Sequence, residues 1–247
     1  MIHLSRFLIG IRHNRIFRMQ SLSGQLIDRL VKAYPKDFLR VTETQFGNEI
    51  ALSDADNLLV ATVTRDDIIV EGRKSFDFEA RKYVEVNKQK ILGMATACLP
   101  HISEVLALDK DFARIGMIFE FRIPVFAGVE NGNFGKFIAD KFISFKTDGD
   151  KTEGSARFAY KLKVSGGGII RNIKDYRNAI VAMIPAKGID EDGKERDCLL
   201  VSVDLQHIYD PLQKSVDVGE HYGFAIEHLK QVILPELKSK GVEINYE

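Results

Sequence analysis

Two histidines, His221 and His228, stand seven positions apart in a stretch with helical periodicity, and each follows a glutamate, Glu220 and Glu227. Two imidazoles on one helix face suggest a metal site. Seven residues of helix separate them by about 10 Å, however, too far to share one ion, and neither fits the HExxH pattern of zinc hydrolases. Both are therefore expected on solvated helix positions. His3, His13, His101 and His207 show no ligand spacing. Cys98 and Cys198 are the only cysteines, and they lack the closely spaced partners that a thiolate metal site or a disulfide framework needs. Cys98 has no activating neighbour in sequence, and no serine sits in a nucleophile elbow. The carboxylate pairs Asp109/Asp111 and Glu191/Asp192 fall in loop-like stretches where charge is ordinary.

Three glycine-containing segments imitate ligand loops and fail on chemistry. GVENGNFGKF (128–137) runs from a strand into a helix, as a phosphate loop does, but Glu130 replaces its first glycine and Phe137 stands where a magnesium-binding hydroxyl belongs. A carboxylate there repels phosphate. SGGGIIRN (165–172) lies between two strands with no helix N-terminus behind it, and the calcium-like start at Thr147–Lys151 carries Glu153 where glycine is required. Turns are expected at both. No catalytic residue, metal or cofactor emerges, and the expectation is a non-enzymatic chain.

The elements that would position any site follow from periodicity. Phe7, Ile9 and Ile11 alternate as a strand, and Leu22, Leu26, Leu30 and Val31 mark a helix that stops near Pro35. Three strands are expected next, at 39–52, 58–64 and 67–72, followed by a helix from Phe76 to Leu99 stopped by Pro100. The second half repeats this order. Phe112–Val125 alternates, with Met117, Phe119, Phe121 and Ile123 on one side and Glu120 and Arg122 on the other. A short helix carries Phe134, Phe137, Ile138 and Phe142. Strands over 155–164, 178–186 and 198–208 follow, with Asp192-Gly193 as a hairpin turn. A last helix, about 217–240, directs Val218, Tyr222, Ala225, Leu229, Val232 and Ile233 inward and bends at Pro235.

Half-buried alternating strands indicate an antiparallel sheet, so the fold class is α+β. Two tandem βαβββα units, residues 1–101 and 102–247, are expected to form the sheet with long helices packed on one face; one irregular α+β domain is the alternative. Thirty-five basic and thirty-five acidic residues cancel, which excludes a global field for nucleic acid or membrane. Charge is uneven all the same. Residues 1–40 hold eight Lys/Arg against two acids, +6, which leaves −6 for the remainder. With no long apolar span and no signal-peptide pattern, a cytoplasmic chain that makes no membrane contact is expected.

If helices cover one sheet face, the other displays Arg6, Arg12, Glu43, Glu120, Arg122, Arg157, Lys161, Lys163, Ser202, Asp204 and Gln206. Its basic members, Arg6, Arg12, Arg122, Arg157, Lys161 and Lys163, are the candidate contacts for an anionic partner, nucleic acid included. Phe119, Phe121, Phe158 and Tyr160 belong to the apolar face and offer no base-stacking platform there.

FARIGMIFEFRIPV, LLVSVDLQHIYD and HYGFAIEHLKQVILPEL resemble a sporadically distributed family of prokaryotic proteins. Its central arginine-glycine strand, its late strand ending in aspartates and its C-terminal helix opening with histidine correspond to Arg114 and Gly116, Asp204, and His221. The resemblance implies the duplicated architecture and a prokaryotic origin, and it names no reaction. The expected function is a protein-interaction or regulatory accessory module, defence systems being one setting, with a protein partner or self-association. Nucleic-acid binding through the basic face and a small-ligand pocket between sheet and helix are the alternatives.

Overall fold

A computed structural model describes residues 3–44, 47–56, 58–77, 82–124, 129, 132–143, 154–162, 176–189, 194–244 and 246. Its centre is an antiparallel nine-stranded sheet, made of β1 (His3–His13), β2 (Arg40–Glu43), β3 (Glu49–Ser53), β4 (Leu59–Thr64), β5 (Asp67–Arg73), β8 (Phe112–Ile123), β9 (Ala156–Leu162), β10 (Tyr176–Ile189) and β11 (Glu195–Gln213). The spatial order is β2-β3-β4-β5-β1-β8-β11-β10-β9. A separate hairpin pairs β6 (Ser75–Asp77) with β7 (Lys82–Val84). The fold is α+β, as the alternating strands predict.

The first strands of the two halves meet at the middle of the sheet. Ile9 lies opposite Met117, Gly10 opposite Gly116 and Ile11 opposite Ile115. Alternation then sorts the side chains. Phe7, Ile9 and Ile11 of β1, Met117, Phe119 and Phe121 of β8, and Val201, Val203 and Leu205 of β11 are buried on one face, the core face. Phe7 and Phe119 stand with ring centroids 4.9 Å apart, and the core runs on through both halves without a break.

Helices close this core. α1 (Met19–Ala33) buries Leu26 and Leu30, and α2 (Lys88–Leu106) sets Ile91 against Gly72 of β5, where a Cβ would come within 2.5 Å of Ile91 Cδ1. α3 (Phe134–Phe142) is capped by Asn133, whose Oδ1 accepts from Lys136 N–H at 2.9 Å, and buries Phe137. The position where a phosphate loop needs a hydroxyl is therefore core. α4 (Val218–His228), a π-turn (Leu229–Ile233) and α5 (Leu234–Ser239) form one continuous rod.

Four expectations are corrected. Residues 39–52 are two strands, because Gly47 adopts φ +58° in the turn between β2 and β3. The stretch from Phe76 begins as the β6/β7 hairpin, and the helix starts only at Lys88, where Asn87 Oδ1 accepts from Lys90 N–H at 2.9 Å. Pro100 does not stop α2. The proline is exposed, whereas Ile102 and Leu106 beyond it are buried, and their packing outweighs one missing donor; left-handed Ala107, φ 54°, ends the helix. The kink expected at Pro235 becomes the preceding π-turn, which sets the proline in the first turn of α5, where its N–H is not needed, and leaves Val232 exposed. The triple-glycine segment, the calcium-like stretch, the Asp192-Gly193 turn and Lys163 lie outside the described residues. Among the described residues, no helix is long and apolar enough to cross a membrane.

Candidate functional site

The sheet face opposite the core is assembled from the even-numbered residues of β1, β8, β10 and β11. Cross-strand register turns these into rows. One row runs Arg6, Glu120, Ser202, Ala182, Arg157 across five strands. The next runs Leu8, Ile118, Asp204, Ile180, Ala159, and the third Gly10, Gly116, Gln206, Asn178, Lys161. Arg122 heads a shorter row with Leu200 and Ile184. Five of the six predicted basic residues, Arg6, Arg12, Arg122, Arg157 and Lys161, thus share one face.

They do not form one positive patch. Arg6 reaches across to Glu71 of β5, donating from Nε at 2.7 Å and pairing through Nη2 as well, while its Nη1 meets Glu120 at 3.2 Å. Arg12 forms a two-pronged pair with Asp67, 3.0 Å on each prong. Lys161 places its ammonium 4.0 Å from the Tyr176 ring centroid. Four steps of about 4.8 Å separate Arg6 from Arg157, so the cations are spread over roughly 19 Å of sheet. Glu43, expected here, pairs with Ile50 and lies on the core-face side. Asp67 and Glu71 were missed because only the pairing of β1 with β5, not any local motif, reveals them as neighbours of Arg12 and Arg6.

At the centre, Gly10 and Gly116 face each other without side chains. The carboxylate of Asp204 leans over Gly116, whose Cβ would lie 3.3 Å from Oδ1, and Gln206 donates to the same carboxylate. Burial raises the Asp204 carboxyl above the usual range, opposed by that hydrogen bond and by the charges of Arg114 and Arg157. Arg114, Gly116 and Asp204, three positions of the family-like motif, are therefore drawn together on one face. Leu8, Ile118, Ile180, Leu200 and Ile184 run through the same region as an apolar band, from buried Leu8 through half-buried Ile118, Ile180 and Leu200 to Ile184, 43% exposed.

His221, the fourth motif position, is on the other side and is not solvated. It is 3% exposed, and its Nε2 donates to the carbonyl of Leu205 at 3.0 Å. Burial pushes the imidazole down to about 4, helped by His207 and Arg177 and opposed by the Leu205 hydrogen bond. Nδ1 is buried and finds no partner among the described residues. The helical spacing identified the His221/His228 pair but could not show that the first of them faces β11. His228 is partly buried, with Nε2 3.1 Å from Tyr160 Oη.

Burial disfavours the thiolate form of both cysteines. Burial pushes Cys98 up to about 12 and raises Cys198 as well. Among the described residues no group of three or more His, Cys, Asp or Glu side chains is placed to hold a metal. No protein-family model and no curated protein sequence matches the chain.

Proposed function

We propose that this chain is a non-catalytic protein-recognition module of the prokaryotic cytoplasm, and that it engages its partner through the sheet face opposite the core. The observation that carries this reading is the apolar band Leu8, Ile118, Ile180, Leu200 and Ile184, bordered by Arg6, Glu71, Glu120, Arg122 and Arg157. An apolar centre with a charged rim of both signs suits a protein surface. It suits a phosphate backbone poorly, because Arg6 and Arg12 are already engaged by carboxylates and have little counterion to release.

The architecture behind this surface is, in the same reading, a duplication of one strand-helix-strands-helix plan with the long helices on the core face, its break placed after Leu106 at the end of α2 and its first copy carrying four sheet strands after α1, β2 to β5, where the second carries three. Sheet order supports it: β1 neighbours β5, the last long strand of its half, as β8 neighbours β11, the last of its own. Recognition would then sit at the junction of the two repeats, where Gly10 meets Gly116.

Affinity capture from native-cell extract, quantified by mass spectrometry, tests the reading against an Ile184→Asp/Leu200→Asp variant. A nuclease-resistant protein partner enriched by the unaltered chain and reduced roughly tenfold or more by the variant is expected, since desolvating two carboxylates opposes docking. Equal capture by both chains, or loss of the captured material after nuclease treatment, refutes it.

A further inference from the structure

The nine-stranded sheet ends in two edges, and they differ in chemistry. β9 carries Arg157 and Lys161, and antiparallel self-pairing centred on Ala159 would set Arg157 against Lys161 twice. Charged side chains of this kind are how edge strands are kept from pairing. β2 also carries two charges, Arg40 and Glu43, but they differ in sign, and self-pairing about Val41 sets neither against its own kind. All four of its residues are exposed, and Val41 (44%) and the preceding Leu39 (60%) are among the most exposed large apolar side chains of the chain.

The backbone of β2 also points its unused bonds outward in a usable register. Thr44 N–H donates to the Glu49 carbonyl at 3.1 Å, and the β2/β3 ladder pairs Thr42 with Ala51 and Arg40 with Ser53. Because antiparallel ladders alternate, Thr42 and Arg40 likewise turn their polar groups toward β3. Val41 and Glu43 turn theirs away from the sheet. A strand arriving antiparallel on that side finds the N–H and C=O of Val41 as a ready pair.

We propose that a second copy of this chain adds at β2, antiparallel about a two-fold axis through Val41, to make one sheet continuous across both copies. This interface lies at the edge of the sheet, away from the face assigned above to a partner, and it does not depend on that assignment. The two-fold requires residues whose numbers sum to the same even value to stand opposite one another. Centred on Val41, it places Val41 against its counterpart, Arg40 against Thr42 and Leu39 against Glu43. No like charges meet. The two exposed apolar side chains of this edge are covered, and reciprocal bonds between the two Val41 residues satisfy the outward N–H and C=O of Val41, while Leu39 keeps its N–H on the Ser53 carbonyl at 2.8 Å. A symmetric strand pair of this length is a small interface, at the weak end of specific association.

Sedimentation velocity over a concentration series from about 5 to about 500 µM reads the association directly. The expected result is a rise from protomer toward twice the protomer mass. Val41→Pro removes only the outward N–H, which the β3 ladder does not use, and should hold the protein at protomer mass across the series. Val41→Lys and Val41→Glu should each do the same through like-charge contact at the axis. Mixed in equal amounts, the Lys and Glu variants should recover the dimer, which no loss of folding can imitate. A concentration-independent protomer overturns the proposal. So does a dimer that survives all three substitutions, or a pair of charge variants that stays monomeric when mixed. Association of β2 only with foreign extended peptides, the chain itself staying monomeric, overturns it equally.

Discussion

His221 ties the last helix to the sheet in a form that depends on pH. Its ring must carry the proton on Nε2 to donate to the Leu205 carbonyl, so Nδ1 is the bare nitrogen, buried with no donor to meet it among the described residues. Acid would place a second proton there, next to Arg177 and His207, in a site with little water. The folded imidazole resists until about 4, against an ordinary value of 6.5. Between those two values the unfolded chain binds the proton and the folded chain does not, so stability falls as pH falls. The contribution is complete above about pH 7 and is lost progressively below 6.5. At pH 4.5 the loss from this one group is on the order of 2–3 kcal/mol. Urea denaturation at 25 °C, compared between pH 7.5 and pH 4.5, measures it. Carboxylates titrate over part of the same range, so the informative quantity is the difference between the unaltered chain and His221→Gln, whose amide still offers an N–H. The variant should be less stable at pH 7.5 yet lose about 2–3 kcal/mol less on acidification. Parallel losses in both chains would show that His221 titrates normally and that its burial is wrongly assigned.

Further outcomes follow from packing and burial. Cys98 and Cys198 should resist thiol-modifying reagents at pH 8 in the folded protein and react rapidly in denaturant, because burial disfavours both thiolates; ready labelling of the folded chain would contradict this. Gly72→Ala forces a methyl into the space of Ile91 Cδ1, 2.5 Å away, and should destabilise by about 1–3 kcal/mol in urea titration. Pairing the change with Ile91→Val should recover part of that loss. Asn87→Ala removes the α2 cap and should cost about 1 kcal/mol in the same assay.

Much of this architecture is legible in the residues because alternation and helical spacing are local signals. Strand β8, with Phe119 and Phe121 on one side and Glu120 and Arg122 on the other, needed nothing beyond its own twelve residues. Misplaced elements involve tertiary override or a missed turn. The helix expected from Phe76 to Leu99 joins residues of a hairpin to those of α2, and the Gly47 turn is hidden inside a run of strand-forming residues. Pro100 looks like a terminator in sequence, and only the burial of Ile102 and Leu106 explains why the helix passes it. The candidate site was half legible. Parity gave the correct face for Arg6, Arg12, Arg122, Arg157 and Lys161, but parity says nothing of who stands opposite.

That distinction changes what the basic residues are for. Arg6 is held between Glu71 of β5 and Glu120 of β8, and Arg12 grips Asp67 of β5, so the same side chains that suggested a binding surface span the central strands. Exposed pairs of this kind add little net stability, and Arg12 with Asp67 belongs in that class. Their value lies in register. A slip of β1 against β5 by two residues would keep Phe7, Ile9 and Ile11 on the core face, so hydrophobic burial alone cannot forbid it. One direction, however, would bring Leu8 opposite Arg73 and carry Arg6 away from Glu71, leaving that carboxylate, its side chain 12% exposed, with Arg73 alone; the other would set Arg12 opposite Arg65 in place of Asp67. Losing one of the two cations that face a largely buried carboxylate is costly even where the intact pair contributes little. The arginines of β1 are thus best understood as pins that hold β1 in a single register against β5, with Arg6 reaching Glu120 of β8 as well.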